Sequence, residues 1–351
     1  VIYIDMEYRR PKALRKGDAV AIVSPSWGGP SVFPRVYENG LAVLREWGLE
    51  IREYPSARAD AGFLRAHPEF RAKDLNDAFA DPDIKAIFAS IGGDDSVRIL
   101  RFLDKDVIAK NPKIVMGYSD TTTIHAYCHL LGLVTFNGPS VIAGFSQMES
   151  LPASFREHVR SMLFDPADSY TYVPFDSYSD GYPDWSVPEN LGKVKEPRHS
   201  DGWRILQGSG IVEGGLFGGC IEVLEFLKGT EYWPDRDFWD RKILFFETSE
   251  DKPSLDQVRY MLMNYGVQGV FDKVSGILFG RAREYSDEEK RGLDEMLVRV
   301  IGDEFGHPDL PIVSNMDFGH TDPQWVMPLG VRARFDIDRK EFSLVEPWLT
   351  A

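Results

Sequence analysis

The chain has 351 residues, of which 43% are apolar and 27% charged; this suits a globular protein of two domains, or of one large one. Forty Lys and Arg stand against 55 Asp and Glu, a net charge of −15, which excludes a general binder of nucleic-acid backbones or of anionic lipid surfaces. One small anionic ligand is not excluded, because a local site can oppose the global charge.

Met6 is a candidate start, an upstream start being the alternative, and the five residues ahead of it are left out of the fold reasoning. No basic stretch followed by a long apolar run opens the chain, so no signal peptide is expected. Nor does any segment approach the ~20 apolar residues of a membrane helix. Ala19–Ser24 is a β-branched apolar run that ends at Pro25-Ser26-Trp27-Gly28-Gly29-Pro30 and predicts a strand. Val36, Leu41, Val43, Leu44 and Trp47 follow at helical spacing and Gly48 closes that helix. A second strand is predicted over 49–54 and a second helix through Phe70, Leu75, Ala78 and Phe79. Residues 84–91 (IKAIFASI) predict a third strand, buried on both faces, followed by Gly92-Gly93-Asp94-Asp95 and a helix through Val97, Leu100 and Leu103. Residues 113–118 predict a fourth strand, broken at Ser119 into a helix, and 133–136 a fifth.

Strands alternating with helices predict a parallel, doubly wound Rossmann- or flavodoxin-like α/β domain over 6–165. All strand C-termini then share one edge, where ligands bind. Residues 166–203 are loaded with Tyr, Asp, Pro and Ser and carry Phe175, Tyr182, Trp185 and Trp203. That stretch is too aromatic for a disordered linker; it reads equally as a lid or as a connector packed on the core. A C-terminal domain over 204–351 is predicted from strands at 211–217, 242–246, 274–279 and 312–313, helical stripes at 255–262 and 293–300, and a final hairpin around 338–340.

Three loops could carry chemistry. In Gly117-Tyr118-Ser119-Asp120-Thr121, a serine sits between strand and helix, where a sharp turn exposes its hydroxyl to the N–H groups of the next helix. Thr121 replaces the last Gly of G-x-S-x-G, and helix capping is the competing role. In Ser90-Ile91-Gly92-Gly93-Asp94, two glycines leave backbone N–H groups open, for an oxyanion or for a tight turn. Of seven histidines, His320 stands out, on a strand-end loop beside Gly319. His125 and His129 lie four apart on a helix without the Glu of a metal motif, and read as core histidines. Glu247 ends the apolar strand KILFFE, where it could orient an imidazole or cap the next helix. Cys128 and Cys220 fall in no disulfide or Cys/His pattern and read as small buried hydrophobes of a reducing compartment.

Together the motifs at 21–26, 90–94, 117–121, 214–219, 247–250 and 319–323, with Pro328-Leu329-Gly330 after them, resemble the serine peptidase family S66 of LD-carboxypeptidases and microcin C immunity proteins. The resemblance implies a Rossmann-like domain plus a C-terminal swivelling β/β/α domain, a triad of Ser119, His320 and Glu247, and an oxyanion hole from the N–H groups of Gly93 and Asp120. It implies no metal or organic cofactor, a cytoplasmic location and a homodimer. The chain looks like the microcin C immunity branch, whose members cleave an aminoacyl or peptidyl group from an AMP-like nucleotide. On that resemblance, Trp185 with Phe175 would stack on the base, Gly92 would border the substrate and Lys252 would meet the phosphate. Cys220 stands where the family commonly has Asn.

Two readings of other classes remain at this point: a ligand-binding protein without catalysis on the same fold, and an amidotransferase-like hydrolase with a Cys nucleophile. The first requires that Glu247 and His320 do not converge on Ser119. Against the second, Cys128 lies mid-helix and Cys220 follows a Gly-Gly turn in the wrong domain.

Overall fold

The structure, a computed structural model, describes residues 8–351, so the candidate start at Met6 lies outside the described residues. Five strands of the first half, β1 (Ala19–Val23), β2 (Glu50–Glu53), β3 (Ile84–Ala89), β4 (Ile114–Gly117) and β5 (Thr135–Asn137), pair in parallel in the order β5-β4-β3-β1-β2. Every residue of β1, β4 and β5 is buried, as expected for a sheet covered by crossover helices. The helix Pro34–Glu46 opens on a proline that loses no hydrogen bond there, and the chain leaves it through Gly48 at φ +84°. One element differs from expectation. After Gly93 the chain forms a 3₁₀ turn, Ser96–Phe102, and then a separate helix, Lys105–Lys110, whose first N–H groups are capped by Asp104. The apolar spacing at 97, 100 and 103 fits the three-residue period of the 3₁₀ turn.

The second sheet has eight strands. Its centre is parallel: Ile211–Cys220, Lys242–Glu247, Gly276–Gly280 and Ile312–Met316 lie side by side. The hairpin Arg332–Asp336 and Glu341–Leu344 extends one edge and Arg204–Gln207 closes the other, both antiparallel. This is the mixed α/β architecture that the alternation predicts, with a parallel-sheet domain followed by a second domain.

The chain crosses between the sheets beyond the expected boundaries at 165 and 203. Tyr170–Thr171 adds to the hairpin edge of the second sheet. Met327–Leu329, far down the C-terminal part, returns to the first sheet and pairs antiparallel with β5. Without that strand, the N–H and C=O groups along one side of β5 would be an open edge. The aromatic segment divides its side chains. Tyr172, Phe175, Tyr178 and Trp203 are buried on the core, whereas Tyr182 and Trp185 stand half-buried over the strand ends.

Candidate active site

Ser119 follows β4 and has φ +60°, the left-handed backbone that a residue with a side chain enters only at a cost. Its neighbours hold it there. His125, one turn into the following helix, donates from Nε2 to the Gly117 carbonyl at 2.8 Å. Burial lowers that imidazole to about 4, so it stays neutral and serves the turn. The helix after Ser119 has no side-chain cap, which removes the capping role for its hydroxyl.

The Gly92–Asp95 loop lies against this turn. A Cβ on Gly92 would sit 2.8 Å from Ser119 Cβ and 2.9 Å from its Oγ. Asp120 is buried and accepts from the N–H groups of Asp95 (3.1 Å) and Ser96 (2.7 Å), so one carboxylate fixes the loop's far end. Arg71, fully buried, forks onto Asp95 at 2.7 and 3.1 Å and also donates to the Pro25 carbonyl at 2.9 Å. It therefore ties two of the strand-end loops together. Among the described residues, no internal acceptor takes the N–H of Gly93 or of Asp120.

Glu247 is the last residue of its strand and His320 lies on the loop after Ile312–Met316, so both stand at C-terminal strand ends of the second sheet. His320 Nδ1 donates to Glu247 Oε2 at 2.5 Å, with both side chains buried. Gly319, at φ +105°, is required there, since a Cβ would come within 2.8 Å of Glu247 Cβ. Asp317 anchors the loop, accepting from Arg281 (2.7 Å) and from the Trp203 indole (2.9 Å). The loop's other side takes a hydrogen bond from Tyr182 to Asp322. Ser254, not Glu247, caps the helix Leu255–Val267. Burial raises the Glu247 carboxyl, and the His320 charge offsets part of that rise. Burial alone would lower His320, but Glu247 and a second carboxylate, Glu250, overrule it and raise the imidazole well above its ordinary range.

Ser119, His320, Gly92, Gly93 and Trp185 open on one cavity of about 300 Å³. Trp185 forms its aromatic wall, edge-on to Phe33 at 5.4 Å and tilted against Tyr182 at 5.2 Å. Two expected contacts are placed elsewhere. Phe175 is buried beside Phe155, because its stretch of the connector packs on the core. Lys252, at φ +52°, extends its ammonium to Glu289 at 2.9 Å and does not line the cavity. Arg283 lines it instead, the one Lys or Arg to do so among the described residues. Its guanidinium lies against Gly181, where a Cβ would meet it at 2.5 Å. Glu250 and Asp184 are two more charged groups on the lining that the residue-by-residue reading gave no role, although Glu250 falls within the motif at 247–250. Arg283's position in the loop after the strand ending at Gly280 was the available signal for it.

Both cysteines are buried, with thiols pushed up by burial, Cys128 to about 12; neither lines the cavity. Cys220 donates its backbone N–H to Thr122 Oγ1 at 3.1 Å and its Sγ rests 3.4 Å from Glu222 Oε2. Among the described residues, no three His, Cys, Asp or Glu side chains group as a metal site, and no helix is long and apolar enough to cross a membrane.

Known proteins are similar to this chain over nearly their whole length. Residues 20–138 match the LD-carboxypeptidase N-terminal domain and 213–335 the LD-carboxypeptidase C-terminal domain. The microcin C7 self-immunity protein MccF of Escherichia coli is 32% identical over 340 residues, 96% of each chain. A Bacillus subtilis protein named "Probable murein peptide carboxypeptidase" is 28% identical, covering 94% of this chain and 92% of its own. Among solved structures, MccF in complex with aspartyl sulfamoyl adenosine superposes with a TM-score of 0.84 at 29% identity, over 97% of this chain and all (100%) of that one. An MccF-like protein from Streptococcus pneumoniae in complex with AMP gives 0.83 at 30% identity, over 93% of this chain and 98% of that one. With both domain models matched in order, and relatives of both branches aligned almost end to end, the chain belongs to the S66 peptidase family.

Proposed function

We propose that this protein is a serine hydrolase that cleaves the amide joining an aminoacyl or peptidyl group to an AMP-like nucleotide. The observation that carries the reading is the convergence of a strained serine and a buried Glu–His pair on one aromatic-walled cavity. In this reading Ser119 attacks the acyl carbonyl. His320 takes the hydroxyl proton at Nε2 and later delivers it to the leaving nitrogen, while Glu247 holds Nδ1–H and stabilises the imidazolium. The N–H groups of Gly93 and Asp120 receive the carbonyl oxygen as it becomes an oxyanion, each such donor being worth about 2.7–4 kcal/mol of barrier. The acyl-enzyme is then released by water, activated at the same nitrogen.

Trp185 supplies a face for the purine, and Arg283 a positive charge for the anionic leaving group. Relatives that bind aspartyl sulfamoyl adenosine and AMP support the nucleotide. The Glu247–His320 contact counts against a protein without catalysis on this fold. Murein LD-carboxypeptidase action is the second reading, favoured by Arg283, which suits the terminal carboxylate of a tetrapeptide as well as a phosphate. The homodimer and the cytoplasmic setting belong to the same proposal; light scattering tests the first.

The deciding experiment incubates the protein with an aminoacyl sulfamoyl adenosine and with an L,D-linked tetrapeptide, followed by mass spectrometry. Turnover of the nucleoside compound is expected, and it must vanish in Ser119→Ala. Turnover of the tetrapeptide alone transfers the assignment to the second reading; activity surviving in Ser119→Ala removes the triad.

A further inference from the structure

Glu250 occupies a position that the triad does not explain. Its Oε2 lies 3.0 Å from His320 Nε2, the nitrogen that must take the proton of Ser119. That contact is close but off the hydrogen-bond line, so Nε2 has no aligned partner. The turn carrying Glu250 is held from below, because Ser249 donates its N–H and hydroxyl to Glu222 at 2.9 and 2.7 Å. The Glu250 side chain itself is 55% exposed and lines the cavity. Among the described residues no Lys or Arg lies within ion-pair distance of it, and Arg283 acts on it only at longer range.

We propose that Glu250 is a specificity residue that receives the free α-ammonium group of the substrate's acyl portion, and that the arrival of this ammonium draws the carboxylate off His320 Nε2. The inference rests on the proposed function. An α-ammonium is two bonds from the scissile carbonyl carbon, which is the neighbourhood of Nε2 once Ser119 is attacking. A cation bound there satisfies Glu250 with an aligned, charge-assisted hydrogen bond in place of a misaligned one. It also removes the second of two negative charges that hold a proton on the imidazole. The Nε2 proton then leaves to water, and the nitrogen can accept the proton of Ser119. The groups facing this exchange are Glu247 on the same strand end, His320 and Asp322 on the neighbouring loop, Asp184 on the connector, Arg283, Tyr118 and Tyr182. Burial raises both tyrosines and Asp322; it works against ionisation at Glu250 as well, but the contact with His320 overrules it and holds that carboxyl down.

The test compares L-alanyl sulfamoyl adenosine with its N-acetyl derivative on the unaltered protein, on Glu250→Gln and on Glu250→Ala, with pH profiles for each. The unaltered protein is expected to prefer the free amine by at least about tenfold in kcat/KM, the scale of one charge-assisted contact. Both variants are expected to lose that preference to within about twofold. In both, the acid limb for the acetylated compound is expected to move to lower pH by at least about one unit. A preference that survives in folded Glu250→Gln and Glu250→Ala, or no preference in the unaltered protein, overturns the inference while leaving the hydrolase reading intact. No turnover of either compound overturns both.

Discussion

Gly92→Ala tests the site by a single methyl group. The added Cβ would stand 2.8 Å from Ser119 Cβ and 2.9 Å from its Oγ, where ordinary contact begins at 3.4 Å. The shortfall is therefore about half an ångström on each atom. Gly92 is not at positive φ, so the backbone accepts alanine and the strain falls on the serine. Relief requires Ser119 to shift or rotate, in a turn already pinned through Gly117 and Asp120. A misplacement of 1 Å at a reacting group costs about 10²-fold, so half of that predicts a kcat lower by between about 10- and 100-fold. In barrier terms this is about 1.4–2.7 kcal/mol. KM is expected to hold within about twofold, since the wall at Trp185 is untouched. Thermal unfolding reads the separate cost of overpacking, about 1–3 kcal/mol. Steady-state kinetics on the aminoacyl sulfamoyl adenosine decides it: a kcat within twofold of the unaltered protein would refute the placement of Ser119 against Gly92.

Three further substitutions and one pH profile separate roles that look alike on paper. Trp185→Ala should raise KM for the nucleoside compound by about 10- to 100-fold at near-normal stability, as lost stacking of about 1–3 kcal/mol predicts. Phe175→Ala should do the reverse, lowering the unfolding free energy by about 3–5 kcal/mol with little change in KM, because that ring is in the core. Arg71→Met should lower the urea-unfolding free energy by less than the about 3–5 kcal/mol of a fully stranded buried charge, because Asp95 keeps Arg98 at 2.9 Å, and adding Asp95→Asn should recover part of the loss. With an N-blocked substrate, kcat/KM should climb with pH through a limb above 6.5, the ordinary imidazole value. The folded-state shift of His320 is upward, so the base is protonated and idle below its raised value and becomes free as pH passes through it. A limb at or below 6.5 contradicts that shift.

The strands were legible wherever burial on both faces left unbroken apolar runs, as in Ile84–Ala89 and Lys242–Glu247. The Ser119 turn was legible too, because a strand, a small residue and a polar helix start occur in one short stretch of chain. Met327–Leu329 was not. Three residues with a central proline carry no strand signal, and their pairing with β5 depends on chain nearly two hundred residues away. Aromatic content identified the connector but not which rings turn inward, so Phe175 and Trp185 looked equivalent. Lys252 looked like the phosphate partner because it follows Glu247 closely. Its left-handed backbone and the carboxylate of Glu289 send it the other way, features with no local sequence signature.

The return of Met327–Leu329 to the first sheet has a mechanical meaning. The loop that carries His320 leaves one sheet at Met316 and reaches the other at Met327, so it is a tether strung between two bodies and fixed at both ends. His320 is pinned to the second sheet through Glu247, so any rotation of the sheets against each other carries the imidazole with that sheet, toward or away from the serine on the first, while the stretch from the imidazole to Met327 takes up the strain. The same splice makes the halves inseparable by a cut near residue 203. The upstream fragment would present β5 as a bare edge open to aggregation, and the downstream one would carry an orphan strand. Solubility should return only when the two fragments are made together and exchange that strand.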